Sequence, residues 1–220
     1  MSVRRNFEKE LRELKEGIRE IGNEVEKAYN RLFGAIEVKD KETILAVQEN
    51  DRHINEMERK VESKCLFLIA KQQPVAPDLR LISSALKLVG DIERIGDHVA
   101  DMADLILRLN FTDFKEYSQS LPVMIEETRS VLHDALELLE SRDEKAAKEF
   151  YKRDDKVDEL FNQVKMDVVN WLKKEQKDVD TCVDILMIAK YLERIGDHAI
   201  NISEWELFRE TGNIGTYRVF

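Results

Sequence analysis

The chain is poor in everything that interrupts a helix. Its 220 residues hold three prolines and eight glycines, too few for the many turns of a β-sandwich or barrel. Cysteine is nearly absent. Cys65 and Cys182 stand alone on apolar stretches, which excludes a disulfide-stapled scaffold and a thiolate zinc site and predicts two buried free thiols in a reducing cytoplasm. Long apolar runs are missing as well: the longest, Cys65 to Ala70, falls far short of the ~20 residues that span a bilayer. Met1 to Phe7 contain no signal-peptide core and lead straight into an amphipathic pattern. Positive charge is in deficit, with 35 Lys and Arg against 45 Asp and Glu and a formal net charge of -10. Nucleic-acid partners call for basic faces, so none is expected.

What remains is a chain with 36% charged residues in helical register. Phe7, Leu11, Leu14, Ile18, Ile21, Val25, Ala28, Leu32 and Ala35 recur at alternating spacings of four and three. This heptad seam predicts one long helix over 5–38. Asp40 is placed to cap a second over 41–72. The two-proline turn from Gln72 to Asp78 sets Pro77 in the first turn of a third helix, ending near Leu109. Residues 110–122 lack periodicity and read as a link. A fourth helix is expected over 122–140. A fifth runs from the capping box Ser141-Arg142-Asp143-Glu144 to about Lys174, and a sixth covers 179–210. The fold class is therefore all-α: two tandem, pseudo-symmetric, antiparallel three-helix bundles in residues 1–112 and 113–210, with a patternless tail over 211–220.

The duplication is written in the letters. Glu93-Arg94-Ile95-Gly96-Asp97-His98 recurs one hundred positions later as Glu193-Arg194-Ile195-Gly196-Asp197-His198, continuing to Asp101 and Asn201. Core positions accept many apolar residues, so retained polar letters point to a site built twice. Residues at i and i+4 are helix-surface neighbours, which puts Glu93, Asp97 and Asp101 in one row and Glu193, Asp197 and Asn201 in another. The second helix of each half adds a pair at the same spacing, Asp51 with Asn55 and Asp154 with Asp158. Each half then carries four carboxylates and one carboxamide. Like charges so placed repel unless a cation neutralises them, and all-oxygen donors suit hard cations better than structural zinc. Gly96 and Gly196, costly inside helices, imply close approach of a backbone or a bulky ligand. His98 and His198 lie ~100° from Asp97 and Asp197 on the wheel and are expected to make structural contacts. Arg94 and Arg194 are candidates for ion pairs or partner contacts, and Trp171 and Trp205 for packing.

Tandem three-helix repeats, each with an E-x-x-x-D inside Glu-Arg-Ile-Gly-Asp-His, resemble the PhoU family over essentially the whole chain. The turn Gln73-Pro74-Val75-Ala76-Pro77-Asp78-Leu79-Arg80 resembles that family's turn before the third helix and adds Arg80 to the structural or partner candidates. The resemblance implies a cytoplasmic protein, or one peripheral at the inner membrane face. It implies a non-enzymatic negative regulator of phosphate uptake and of the phosphate regulon, contacting the ATPase of the phosphate ABC transporter and a phosphate-sensing histidine kinase. It also implies oxygen-ligated, multinuclear metal, iron foremost, with magnesium, manganese, zinc or nickel as alternatives. Two positions depart from the family's pattern: Asn55 stands where an acid is usual and Asp101 where an asparagine is usual. Ferritin-like oxidase chemistry requires Glu-x-x-His pairs, whereas Ile95, Ile195, Asn50 and Ser130 precede the four histidines by three. No Walker or Cys-His motif is present. The competing reading is a helical adaptor whose acidic faces meet partners and bind metal only incidentally. The apolar seams leave a homodimer open.

Overall fold

Helices dominate the computed structural model, which describes residues 3–141, 144–175, 177–214 and 217–218. The first half is α1 (Val3–Val38), α2 (Lys41–Gln72) and α3 (Ala76–Leu109). A single helical turn, α4 (Phe114–Tyr117), lies in the link. The second half is α5 (Ser120–Ser141), α6 (Glu144–Glu149), α7 (Tyr151–Glu175) and α8 (Val179–Thr211). A short antiparallel pair, β1 (Asn213–Ile214) and β2 (Tyr217–Arg218), follows where the tail was expected to have no pattern.

The heptad seam of α1 becomes core. Leu14, Ile18, Ile21, Val25, Ala28, Leu32 and Ala35 are all buried. Asp40 caps α2, accepting from the Thr43 amide at 3.1 Å, and Pro77 sits in the first turn of α3. The chain reverses at Lys39, Gln73, Asn110 and Asp178, all in left-handed conformation. The halves meet along α3 and α8, with α1 also against α5. One continuous apolar core runs through both. Across it the buried Tyr29 hydroxyl of α1 donates to the Ile125 carbonyl of α5 at 2.7 Å. Cys65 and Cys182 are buried and free, as expected.

The fifth predicted helix is not continuous. It breaks at Phe150, where tight backbone bonds join Phe150 to Ala147 (3.3 Å) and Arg153 to Phe150 (2.9 Å). These three-residue closures overwind the turn and carry the Phe150 ring into the core. The predicted capping box falls partly on residues 142 and 143, outside the described residues.

Candidate functional site

The first acidic face forms where α2 crosses α3. Asp51, Asn55, Glu93 and Asp97 are all half-buried there. The Asn55 amide donates to Asp51 Oδ2 at 3.0 Å. Burial, then repulsion from Asp97 and Asp101, lifts the Asp51 carboxyl above its ordinary range. Burial and the charges of Asp97, Glu58 and Asp51 lift Glu93 against the pull of Arg94. Two oxygens, Asp51 Oδ1 and Asn55 Oδ1, are buried without a hydrogen-bond partner. Orphaned acceptors in a cluster of self-repelling carboxylates have the chemistry of an oxygen donor set that fits a hard metal ion. As placed, however, no three His, Cys, Asp or Glu side chains among the described residues converge on one ion position.

The second face is less crowded. Asp158 is exposed, and its carboxyl is raised by burial of its immediate surroundings and then by Glu193 and Asp197, with Lys190 opposing. Lys190 forms a close ion pair with Glu193. Asp154 lies on α7 at the expected position, but its side chain is outside the described ones. Arg94 pairs with Asp97 at 3.1 Å and Arg194 with Asp197 at 3.3 Å, both arginines exposed.

The last member of each row has a second engagement, across the seam between halves. Asn201 donates to Asp91 Oδ1 at 2.9 Å, and His198 Nδ1 meets the same oxygen at 2.8 Å. At the matching place in the other half, Tyr191 hydrogen-bonds Asp101. Asp91 and Tyr191 are one hundred residues apart, like the motif. Acid with amide on one side and hydroxyl with acid on the other are two solutions to one cross-helix contact. That gives the swapped amide a physical reason in pairing, beside the place of Asp101 and Asn201 as third members of their rows.

The histidines face each other over this seam, ring centres 5.5 Å apart, with Tyr191 5.3 Å from His98. Burial pushes His98 down to about 4, helped by the charges of His198, Arg194 and Arg94. Its Nδ1 is buried without a partner. Gly96 answers its riddle by packing: a Cβ there would sit 3.1 Å from Ile54 Cγ2 and 3.5 Å from Val25 Cγ2, so close approach is by α2 and α1 side chains. Arg80 is tied to the end of α8, donating to the Arg209 carbonyl at 3.4 Å and lying against Gly212. Sequence reading missed Glu58, Asp91, Tyr191 and Lys190. Glu58 was within reach of it, since Asp51, Asn55, Glu58 and Glu62 continue one ladder on α2.

Comparison with known proteins agrees with this architecture. The family profile described as PhoU domain matches residues 18–106 and again 121–205. The chain is 34% identical over 211 residues to the "Phosphate-specific transport system accessory protein PhoU homolog" of Clostridium acetobutylicum, covering 96% of each. It is 30% identical to the "Phosphate-specific transport system accessory protein PhoU" of Escherichia coli, covering 94% of this chain and 86% of that one. Among solved structures, the phosphate transport system regulatory protein PhoU from Streptococcus pneumoniae superposes with a TM-score of 0.85 at 28% identity, over 96% of this chain and all of the other. PhoU from Pseudomonas aeruginosa gives 0.86 at 29%, over 94% of this chain and 100% of that one.

Proposed function

The chain belongs to the PhoU family, and from that membership we propose that it serves phosphate transport as a metal-dependent negative regulator of phosphate uptake and of the phosphate-starvation regulon. It does so by contact with the transporter's ATPase and a phosphate-sensing histidine kinase, and without catalysis of its own. Its relatives carry names of transport accessory and regulatory proteins. No helix among the described residues is long and apolar enough to cross a membrane, which supports work at the cytoplasmic face, in solution or peripherally bound.

The observation that carries the metal part is the duplicated acidic face, with the buried, unpartnered Asp51 Oδ1 and Asn55 Oδ1 at its centre. Asp51, Asn55, Glu93, Asp97 and Asp101 would hold cations on the first face, and Asp154, Asp158, Glu193, Asp197 and Asn201 on the second. A bound cation supplies neutralising charge. The carboxylates fix its position, and the arginines beside them set what else can approach. Metal stabilises only the state it prefers, so loading selects the surface offered to the partner. Iron is the leading candidate, with manganese, magnesium, zinc and nickel to be compared.

Elemental analysis of untagged protein, before and after chelation, tests this against a Glu93→Ala/Asp97→Ala/Glu193→Ala/Asp197→Ala variant. Stoichiometric metal in the wild type that vanishes in the folded variant, together with loss of repression in cells, is the expected result. The adaptor reading is favoured by the Arg94–Asp97 and Arg194–Asp197 pairs, which already neutralise part of each face. It wins if the variant loses partner binding while neither protein ever held metal.

A further inference from the structure

A cleft of about 470 Å³ lies apart from the acidic faces, between the end of α1, the link and the start of α5. Its floor is aromatic and apolar: Phe33, Phe111 and Phe114 with Ile36, Pro122 and Ile125. The core fixes that floor. Phe33 packs against Tyr29 with ring centres 4.7 Å apart, and the Tyr29 hydroxyl donates to the Ile125 carbonyl at 2.7 Å, so α1 and α5 hold their sides of the cleft together. Phe111 stands in the left-handed region at φ 60, which costs a residue with a side chain about 1–2 kcal/mol. Its ring is nonetheless only half-buried. Strain held at a partly open wall is a feature of ligand clamps.

The rim carries Lys39, Lys115 and Arg129 against Glu37, Asp113 and Glu126. Two of the acids are engaged. Glu126 accepts from Arg129 Nη1 at 3.1 Å, and Asp113 caps α4 by accepting from the Lys115 amide at 3.0 Å. Among the described residues, the side chains of Glu37, Lys39 and Lys115 make no ion pair. Arg129 adds an unmet donor, its Nε being buried without a hydrogen-bond partner.

We propose that this cleft binds a free aromatic amino acid, with the ring on the phenylalanine floor and the two main-chain charges on the rim. Charge balance selects a zwitterion. A bare anion gains nothing from a neutral rim on a chain of net charge -10, and a bare cation is drawn more strongly to the acidic faces. A zwitterion uses both signs: its carboxylate meets Arg129, Lys39 and Lys115, and its ammonium group meets Glu37. The ring supplies the apolar area, offset or edge-on against the three phenylalanines. An apolar floor under a few placed polar groups, at this volume, is the pattern of small-molecule sites.

Isothermal titration of the full chain with L-phenylalanine, chelator present to keep metal off the acidic faces, tests this. Saturable one-to-one binding is expected. Phenylacetate and phenethylamine each keep the ring and one charge and should bind at least about ten-fold weaker, and N-acetyl-L-phenylalanine amide, with neither charge, weaker still. Rim substitutions separate the charges. Glu37→Gln should weaken L-phenylalanine and phenethylamine at least about ten-fold and leave phenylacetate unchanged. Lys39→Gln with Lys115→Gln should weaken L-phenylalanine and phenylacetate and leave phenethylamine unchanged. All three residues are exposed, so these variants are expected to fold. Phe111→Gly removes a ring from the floor where glycine is unstrained and should weaken all three ligands. No saturable binding of L-phenylalanine, equal binding of the uncharged amide, or undiminished binding in the folded rim variants would each overturn the proposal.

Discussion

The two acidic faces share six identical consecutive residues yet are not the same site. On the first, the position 58 side chain is a glutamate and position 90 is a glycine. On the second, the matching positions hold Phe161 and Lys190. Lys190 pairs with Glu193 and lies over the Phe161 ring at 5.3 Å, a cation fixed in place by an aromatic face. The first face has no such lysine. Glu58 adds charge instead, itself raised by burial and by Glu62, and a Cβ on Gly90 would meet nothing within 4 Å. A copied motif therefore fixes which groups face outward, while its uncopied neighbours decide whether they need a cation from solution. The first face is left with the larger excess of negative charge; the second partly offsets its own through Lys190.

The largest expected effect separates the faces directly. Glu93→Ala with Asp97→Ala should remove the tighter phase of metal binding, at least about ten-fold in affinity, while Glu193→Ala with Asp197→Ala removes only the weaker one. Titration against a competing chelator measures both, and equal losses would erase the distinction. Gly90→Lys sharpens it by importing the second face's device. It should lower metal affinity of the first face about ten-fold and stabilise the metal-free protein by about 1 kcal/mol, since glycine costs that much in an open helix position. Unchanged metal binding with a paired lysine would mean that charge excess is not what distinguishes the faces.

Much of this was written in local sequence. The α1 seam, the Asp40 cap, the Pro77 start and the Glu93/Asp97 row follow from spacings of three, four and seven, which a helix converts straight into faces. The break at Phe150 was not legible, because apolar periodicity runs through it and only the core it fills explains the overwound turn. Asp91 and Tyr191 were invisible for another reason. Each acts on a residue of the other half, Asp91 on Asn201 across 110 positions, and no local pattern encodes that distance. The left-handed reversal at Asp178 likewise carries no glycine to announce it.

Two glycines on α3 should respond in opposite senses. Gly90→Ala enters open space and should raise stability by about 1 kcal/mol. Gly96→Ala places its methyl 3.1 Å and 3.3 Å from two carbons of Ile54. Ile54 is buried and branched at Cβ, so it has few rotamers in which to yield. Overpacking then outweighs the helix gain, and a net loss of about 1 kcal/mol is expected. Urea unfolding of the pair measures it, and stabilisation by both would show that Ile54 yields freely. The seam pairs come next. Tyr191→Phe deprives Asp101 of its donor and should cost about 1 kcal/mol; Asp91→Asn, which weakens the contact to His198 and Asn201, should cost a similar amount. A cost on one side only would show that the two solutions are not equivalent.

The smallest effect is a pH dependence confined to one side of the pseudo-symmetry. His133 Nδ1 of α5 lies 2.7 Å from Glu26 of α1. That hydrogen bond raises the imidazole above its ordinary value, the charge of Glu26 adding to it against slight burial. The register equivalents in the other half are Asn23 and Leu136, which cannot titrate. A folded value above the unfolded one means that the native state binds more protons between them. The stabilisation is complete below the unfolded value of about 6.5 and fades as pH rises through the folded one. His133 is more than half exposed, so solvent screening holds the effect to a few tenths of a kcal/mol. The difference in stability between wild type and Glu26→Gln should therefore be largest near pH 6 and fade as pH rises through the raised value of His133. A difference that is flat with pH would mean that the contact acts through packing of α1 on α5, where the Leu136 side chain already approaches Gly22, and not through the proton.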